Sequence, residues 1–170
     1  EKLHVMVTNR VVYDLVCTSR ERKWNPANIT DAQFSLPYML AWAAIHGGVG
    51  FSALSSQGLN DSRVKEMMSR IDVTVETGLQ ADGRGKFPMP GIVTVTEKNG
   101  KATKMTVEYV KGHPNNPMSF DDVAKKFRDC ARFGRPDWSN VEEVVQLLAA
   151  LEASEDAGKL VGHCAHTIAA

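Results

Sequence analysis

The sequence has no surplus of charge of either sign. Its 20 lysines and arginines are balanced by 20 aspartates and glutamates, so the formal net charge is zero. Proteins that bind nucleic acid neutralise its phosphates with a basic surplus, which this chain lacks. The balance therefore argues against nucleic acid as a partner.

Long apolar runs are also lacking. The longest apolar stretch, around residues 38–45, is far shorter than the roughly 20 residues that span a bilayer. Residues 1–5 lack the apolar centre of a secretory signal. We therefore expect no membrane association and a cytoplasmic protein. A chain that begins without methionine, inside a strand pattern, is typical of a piece of a longer protein.

Cysteines are few and widely spaced. Cys17, Cys130 and Cys164 match neither a disulfide framework nor a zinc site, so we expect reduced thiols, with the first two as packing residues. His163 and His166 flank the last cysteine, but no second pair of ligands lies near them in the sequence. We interpret this cluster as an adventitious feature of the tail and predict no metal.

The common motifs of nucleotide and cofactor chemistry are absent from the sequence. It contains no phosphate-binding loop, HExxH zinc motif, GxSxG elbow or GxGxxG fingerprint. Gly47, Gly48 and Gly50 follow a predicted helix, so they are interpreted as a helix end rather than as a phosphate cradle. No cofactor is predicted.

Strand and helix patterns alternate along the first half of the chain. Residues 3–17 are rich in β-branched residues and predict one long strand, or two strands with a break near position 9. Residues 18–29 predict a loop. A helix is predicted over 31–46, with Thr30 and Gln33 as its capping box.

The second half of the chain begins with a helix over 61–70, a strand over 71–76 and a long loop. A β-hairpin is then predicted around Asn99-Gly100, a pair that favours a type I′ turn. Helices are predicted to start near Ser119 and Asn140. We expect one α+β domain over 1–157, with an antiparallel-containing sheet and helices on one face, and a tail of uncertain structure over 158–170.

Two residues are candidates for chemistry on pattern alone. Tyr38 lies on the apolar stripe of the first long helix, where a hydroxyl can donate a proton or hold a carboxylate. A tyrosine on such a stripe is more often a core residue with its hydroxyl at the edge. His113, in Lys-Gly-His-Pro, belongs either to a pocket or to a rigid turn before a capped helix, and the turn is the preferred interpretation.

Two blocks of the sequence carry a family resemblance. Residues 31–49 (DAQFSLPYMLAWAAIHGGV) and residues 109–131 (YVKGHPNNPMSFDDVAKKFRDCA) resemble the C-terminal domain of the MmgE/PrpD family, also called the 2-methylcitrate dehydratase family. The second block is similar to the family's G-x-P-x-N-P-[ML]-S…KFR signature. The resemblance covers most of the chain from about Val5 to Leu151.

This resemblance implies a lid domain that closes on a larger N-terminal helical domain, in an enzyme that is typically a homodimer. Family members such as 2-methylcitrate dehydratase, cis-aconitate decarboxylase and iminodisuccinate epimerase move protons or carbon dioxide next to a carboxylate, without metal or organic cofactor. It therefore implies lyase chemistry on small di- or tricarboxylic acids, and a segment that is inactive alone.

The resemblance also implies site residues. The decarboxylase branch contributes a lid tyrosine from a Q-x-S-x-x-Y stretch, which here is Gln33, Ser35 and Tyr38. Tyr38 is thus expected to be catalytic, and Gln33, Ser35 and His113 to bind substrate. Dehydratase, decarboxylase and epimerase activities stay open. A non-catalytic dimerisation module, using the helix over 119–134, is the alternative from another class.

Overall fold

A four-stranded mixed sheet lies at the centre of the first part of the chain. The computed structural model describes residues 2–8, 10–76 and 90–164. The strands are β1 (Lys2–Val7), β2 (Ile71–Val75), β3 (Gly91–Thr96) and β4 (Ala102–Val107). Their order is β2-β1-β3-β4, with β1 parallel to β2 and the other two pairs antiparallel. The predicted α+β class is confirmed.

The chain divides into two compact units, Glu1–Asn116 and Pro117–Ala170. In the described part of the first unit, a 3₁₀ turn at Phe51–Leu54 accompanies helices α1 (Arg10–Cys17), α2 (Arg20–Lys23), α3 (Ile29–Gln33), α4 (Leu36–His46), α5 (Ser56–Leu59) and α6 (Ser62–Met68). Helix α1 packs on β1 and β2, and α4 packs on β2 and α6.

The core of the first unit lies between the helices and one face of the sheet. Because side chains alternate along a strand, Leu3 and Val5 point to the same face and pair in register with Ile71 and Val73 of β2. All four are buried, in one cluster with α4 and α6 residues, of which the largest are Tyr38, Trp42, Val64 and Met68. The sheet is thus covered by helices on this face, as predicted.

The predicted strand over residues 3–17 is wrong in its second half. Strand β1 ends at Val7, and α1 begins at Arg10. Arg10 Nε donates to Asp14 at 3.0 Å, and this i,i+4 pair stabilises a helical turn. Side chains of the helix's other face reach the core, where Cys17 is buried. The β-branched residues here belong to an amphipathic helix, not to a strand.

Cys17 is a packing residue, as predicted. It is 2% exposed, and burial raises the pKa of its thiol to about 11, so the sulfur stays protonated at neutral pH. Cys130 was expected to pack in the same way, but its side chain is exposed. That prediction is wrong because the second unit buries a neighbouring stripe of its helix, at Ala124 and Ala131.

The predicted helix over 31–46 is two helices. The side chain of Asn28 caps α3 by accepting from the Asp31 N–H at 2.9 Å, so the predicted Thr30 capping box is wrong. Ser35 caps α4, and Pro37 follows in its first turn, where a missing N–H costs least. A separate helix therefore begins at Leu36, next to the proline. Its C-cap is Gly47, with φ 76°, and this helix end was predicted. The predicted loop over 18–29 also contains the short helix α2.

The predicted hairpin is confirmed, but its turn type is wrong. Gly100 has φ 84° and donates to the Glu97 carbonyl at 3.0 Å, while Glu97 donates to the Lys101 carbonyl at 2.9 Å. A type I′ turn needs positive φ at both central residues, and Asn99 does not have it. A three-residue loop with one left-handed glycine joins the strands instead.

The described elements of the second unit are all helical. They are α7 (Phe120–Gly134), α8 (Val141–Ala149), a 3₁₀ turn (Leu151–Ala153) and α9 (Gly158–Cys164). Ser119 and Asp122 form a capping box at the start of α7. Arg128 forms a two-point ion pair with Glu142 of α8, with the shorter contact at 2.7 Å. The predicted helix starts near Ser119 and Asn140 are confirmed. Part of the predicted tail is α9.

Some predictions fall on residues outside the description. The predicted loop over 77–89 and His166 of the tail cluster lie there. Among the described residues, none of the helices is both long enough and apolar enough to cross a membrane. The same residues hold no group of three or more histidine, cysteine or acidic side chains that could bind a metal ion.

Candidate functional site

Tyr38, the predicted catalytic residue, lies in the first turn of α4 with its ring in the core. It is 1% exposed, and its hydroxyl donates to the Ala53 carbonyl at 2.6 Å. Burial raises the pKa of this phenol, and the nearby charge of Asp61 raises it further. The hydroxyl is thus a protonated donor that holds the 3₁₀ turn at Phe51–Leu54 against α4. For Tyr38 to reach a substrate, its bond to Ala53 has to open.

Ser35 and Gln33 have different surroundings. Ser35 is 1% exposed; its hydroxyl donates to the Lys23 carbonyl and accepts from the Tyr38 N–H at 3.1 Å. Gln33 is the exposed last residue of α3. The structure thus brings Ser35 and Tyr38 together, with Ser35 as the cap that positions the tyrosine. Substrate binding by Ser35 and Gln33 stays a prediction.

His113 belongs to a separate turn over residues 109–116. Its Nδ1 accepts from the Asn115 N–H at 3.0 Å, and its ring lies 4.6 Å from the ring of Tyr109. Asn116 donates from its side chain to the Tyr109 carbonyl at 2.9 Å, and Gly112 takes φ 95°. These contacts match the rigid-turn interpretation of Lys-Gly-His-Pro. A role of His113 toward substrate stays a prediction.

A pocket of about 770 Å³ is lined by the second half of α4, the chain from Ser52 to Asn60 and the start of α6, and sequence reasoning missed it. It opens next to the 3₁₀ turn that Tyr38 holds. Two of its wall residues, Trp42 and His46, follow Tyr38 along α4 by one and two turns. The other wall residues are Ser52, Ser55, Ser56, Gln57, Gly58, Asn60, Asp61, Ser62 and Arg63.

Asp61 organises the charged part of this pocket. Its carboxylate caps α6 through the Arg63 N–H at 2.9 Å and accepts from Arg63 Nη2 at 2.7 Å. His46 Nε2 lies 3.1 Å from the same carboxylate oxygen as Arg63 Nη2. The hydrogen bonds from Arg63 hold the pKa of Asp61 well below its usual range, against the opposing effect of burial. The carboxylate is therefore ionised, and it fixes one imidazole and one guanidinium side by side.

Parts of the pocket wall are closely packed. The ring of His46 stacks on Trp42, with centroids 4.0 Å apart. A Cβ at Gly58 would lie 2.3 Å from the Ser52 carbonyl oxygen and 3.1 Å from the Trp42 ring, so only glycine fits. The sequence contained a signal for the site, since Asp61 was visible as a helix start. Its link to His46 was not visible, because fourteen residues of loop and short helix, 47–60, separate them.

The pocket wall offers hydroxyls, amides, one guanidinium and one imidazole around a carboxylate that is already paired. Such a surface is suited to a small polar anion rather than to an apolar ligand. The chemistry available on these residues is hydrogen bonding and charge stabilisation.

Comparison with known families identifies the domain. The family model described as the MmgE/PrpD C-terminal domain matches residues 5–150. The chain belongs to this family. It is also similar to human cis-aconitate decarboxylase (Homo sapiens), at 26% identity over 136 residues, which is 79% of this chain and 27% of that protein. The chain thus spans about a quarter of the length of this relative.

The MmgE/PrpD match includes both blocks that carried the resemblance, so the expected family is confirmed. It covers the sheet except the first three residues of β1, the pocket of the first unit, and all of α7 and α8. It ends before α9. The pocket therefore lies within the part of the chain that defines the MmgE/PrpD domain.

Proposed function

We propose that this MmgE/PrpD domain is the lid of a cofactor-independent lyase that acts on small di- or tricarboxylic acids. The family match over residues 5–150 is the observation that supports this proposal. The proposed reaction is of the 2-methylcitrate dehydratase kind, with proton transfer next to a carboxylate. The full enzyme is proposed to work in the cytoplasm as a homodimer, with an N-terminal helical domain facing the lid.

The physical chemistry of the reaction explains why a lid is needed. Removing a proton next to a carboxylate builds enolate-like negative charge, which preorganised donors stabilise best where water is excluded. The pocket next to the 3₁₀ turn supplies donors, but its one carboxylate is held by Arg63 and is a poor base. The base is therefore assigned to the helical domain, and the lid alone is expected to be inactive.

A complete enzyme that carries this domain tests the proposal. We expect it to turn over 2-methylcitrate or a related acid, with exchange of the proton next to the carboxylate, and we expect the 170-residue chain alone to show no turnover. Exchange is followed by NMR in D2O. The proposal fails if the complete enzyme leaves 2-methylcitrate, cis-aconitate and related acids unchanged.

A decarboxylase is the second candidate activity, and the similarity to human cis-aconitate decarboxylase favours it. Release of carbon dioxide from cis-aconitate, without dehydration of 2-methylcitrate, would select it over the dehydratase.

Tyr38 is the proposed catalytic residue of the lid. Because its hydroxyl is bonded to Ala53, catalysis requires the 3₁₀ turn to move when substrate and helical domain are bound. Tyr38→Phe in the complete enzyme is expected to lower kcat about a hundredfold, within the range for loss of a proton donor. Tyr13→Phe is the matched control. Unchanged turnover in Tyr38→Phe would remove the tyrosine from the mechanism.

A dimerisation module is the candidate from another class. Helix α7 exposes apolar side chains at Phe120, Val123 and Phe133, each about half exposed. Exposed apolar side chains on a helix can belong to a contact surface. Light scattering after size exclusion distinguishes the two: a chain that is a monomer at all concentrations argues against this alternative.

A further inference from the structure

Asp61 places two different hydrogen-bonding groups next to each other in the pocket. His46 Nε2 and Arg63 Nη2 both contact its Oδ2, at 3.1 and 2.7 Å. The two groups come from the end of α4 and the start of α6, elements that pack on each other. Their separation is therefore fixed by the fold rather than by flexible loops.

The contact with Asp61 determines the tautomer of His46. An ionised carboxylate only accepts hydrogen bonds, so Nε2 carries the proton in this contact. In the neutral imidazole the other nitrogen, Nδ1, is then an acceptor. Stacking on Trp42 at 4.0 Å holds the plane of the ring. The imidazole of this wall residue thus carries one acceptor nitrogen in a fixed ring plane, and such an acceptor suits a hydroxyl better than a carboxylate.

Arg63 offers the complementary group. Asp61 uses the edge of the guanidinium formed by Nε and Nη2, at 3.2 and 2.7 Å. The opposite edge carries further N–H donors in a geometry that matches a carboxylate. The side chain is 65% exposed and lines the pocket, so this edge is accessible to a ligand.

We propose that His46 and Arg63 form a subsite for a hydroxycarboxylate, in which Arg63 binds the carboxylate and His46 Nδ1 accepts the hydroxyl proton. Asp61 is the positioning residue that holds both. The inference rests on the proposed function for its ligand class, a small polycarboxylic acid. It assigns to these residues the selection of a hydroxylated acid over the same acid without its hydroxyl.

Citrate and tricarballylate test this assignment, because they share three carboxylates and differ by one hydroxyl. Their binding to the 170-residue chain is measured by calorimetry in the same slightly alkaline buffer. We expect citrate to bind about tenfold more tightly than tricarballylate, the effect of roughly one hydrogen bond. Neither acid needs to react, so the result does not depend on turnover.

Three variants separate the two roles. Arg63→Gln should weaken both acids about tenfold or more. His46→Phe keeps the stack on Trp42 but removes the nitrogens, so it should abolish the preference for citrate and leave tricarballylate unchanged. Arg70→Gln is the matched control for charge, since Arg70 lies just beyond α6, pairs with Glu66 and is outside the pocket wall. It should change neither affinity.

Thermal unfolding checks that each variant is folded. If His46→Phe does not fold, His46→Leu replaces it, because leucine fills part of the same space and carries neither a donor nor an acceptor. Equal binding of the two acids, no binding of either, or equal effects of Arg63→Gln and Arg70→Gln would overturn the subsite. A complete enzyme that nevertheless turns over its acid would leave the proposed function standing.

Discussion

Two hydroxyls at the start of α4 join three separate segments of the first unit. Ser35 connects α2 to α4 through the Lys23 carbonyl, and Tyr38 connects α4 to the 3₁₀ turn through the Ala53 carbonyl. Lys23 adds a second link, since its Nζ donates to the Phe34 carbonyl at 2.6 Å. Because the Ser35 and Tyr38 hydroxyls are buried, losing either of their bonds leaves a polar atom unpaired away from water.

Tyr38→Phe should therefore destabilise the chain independently of any effect on catalysis. The Ala53 carbonyl would lose its donor in a site where Ala53 is fully buried, and we expect the free energy of unfolding to fall by about 1–3 kcal/mol. Urea denaturation followed by circular dichroism measures the change. Tyr13→Phe, at a partly buried tyrosine of α1, should have a smaller effect. An unchanged midpoint for Tyr38→Phe would show that water reaches the Ala53 carbonyl.

Asp31 should make stability depend on pH in the acidic range. Its side chain is 7% exposed, and Arg22 donates to it at 2.6 Å. This hydrogen bond lowers the pKa of Asp31, although burial opposes it. A lowered folded-state pKa stabilises the fold above the ordinary value of about 4, and the stabilisation is lost as the pH falls through the folded-state value.

The stability difference between the wild type and Asp31→Asn should accordingly be full at neutral pH and shrink as the pH falls below about 4. Denaturation midpoints across a pH series measure it. Arg22→Gln should show the same trend, because it removes the partner. A difference that stays constant down to low pH would mean that the ion pair does not hold the carboxylate.

At the scale of residues, the sequence predicted which side chains are buried better than it predicted which side chains contact one another. Tyr38 was recognisable as a residue of an apolar stripe, and its burial followed from that pattern. The group formed by His46, Asp61 and Arg63 was not predictable, because only the fold of residues 47–60 brings α4 and α6 into contact. Side chains that lie this far apart in the sequence and meet only in the fold produce no periodic pattern of residues.

Secondary-structure elements show where local preference misleads. The valines in residues 10–17 favour a strand by propensity. The segment is nevertheless helical, because a helix packs Tyr13, Val16 and Cys17 into the core. The Arg10–Asp14 pair was the contrary signal in the sequence. Helix α4 shows the opposite case, since Pro37 and Ser35 mark its start by chemistry that does not depend on tertiary contacts.

The connection between α4 and α6 should be sensitive to a single methyl group. In Gly58→Ala the new Cβ would meet the Ser52 carbonyl oxygen at 2.3 Å, and backbone cannot swing away as a side chain can. We expect a loss of about 1–3 kcal/mol in the free energy of unfolding, as for other overpacked sites. Gly48→Ala is the control, because nothing lies within 4 Å of its added Cβ.

Thermal unfolding of both variants measures this effect. Equal melting temperatures for Gly58→Ala and Gly48→Ala would show that the turn at residues 51–54 yields to accommodate the methyl group. In that case the pocket wall would be softer than its packing indicates. A shift confined to Gly58→Ala would establish that residues 51–60 are a fixed part of the fold.

The two units of the whole molecule differ in the size of their cores. The core cluster of the first unit contains residues from Leu3 to Val93. All the strand pairings of its sheet lie within residues 2–107. The buried apolar residues of the second unit are, in its described part, Ala124, Ala131, Val144 and Val145. Small side chains bury little area, so the second unit gains less from the hydrophobic effect.

This difference predicts unequal protection from hydrogen exchange. Amides of β1 and β3 should exchange only through global unfolding of the first unit, whereas amides of α7 and α8 should exchange roughly ten times faster or more, through local opening. The Arg128–Glu142 pair ties α7 to α8 but is too exposed to offset a small core. Native-state exchange followed by mass spectrometry or NMR measures both sets in one sample. Equal protection of β1 and α8 would mean that the second unit draws its stability from contacts beyond its own core, and that the whole chain unfolds as one cooperative body.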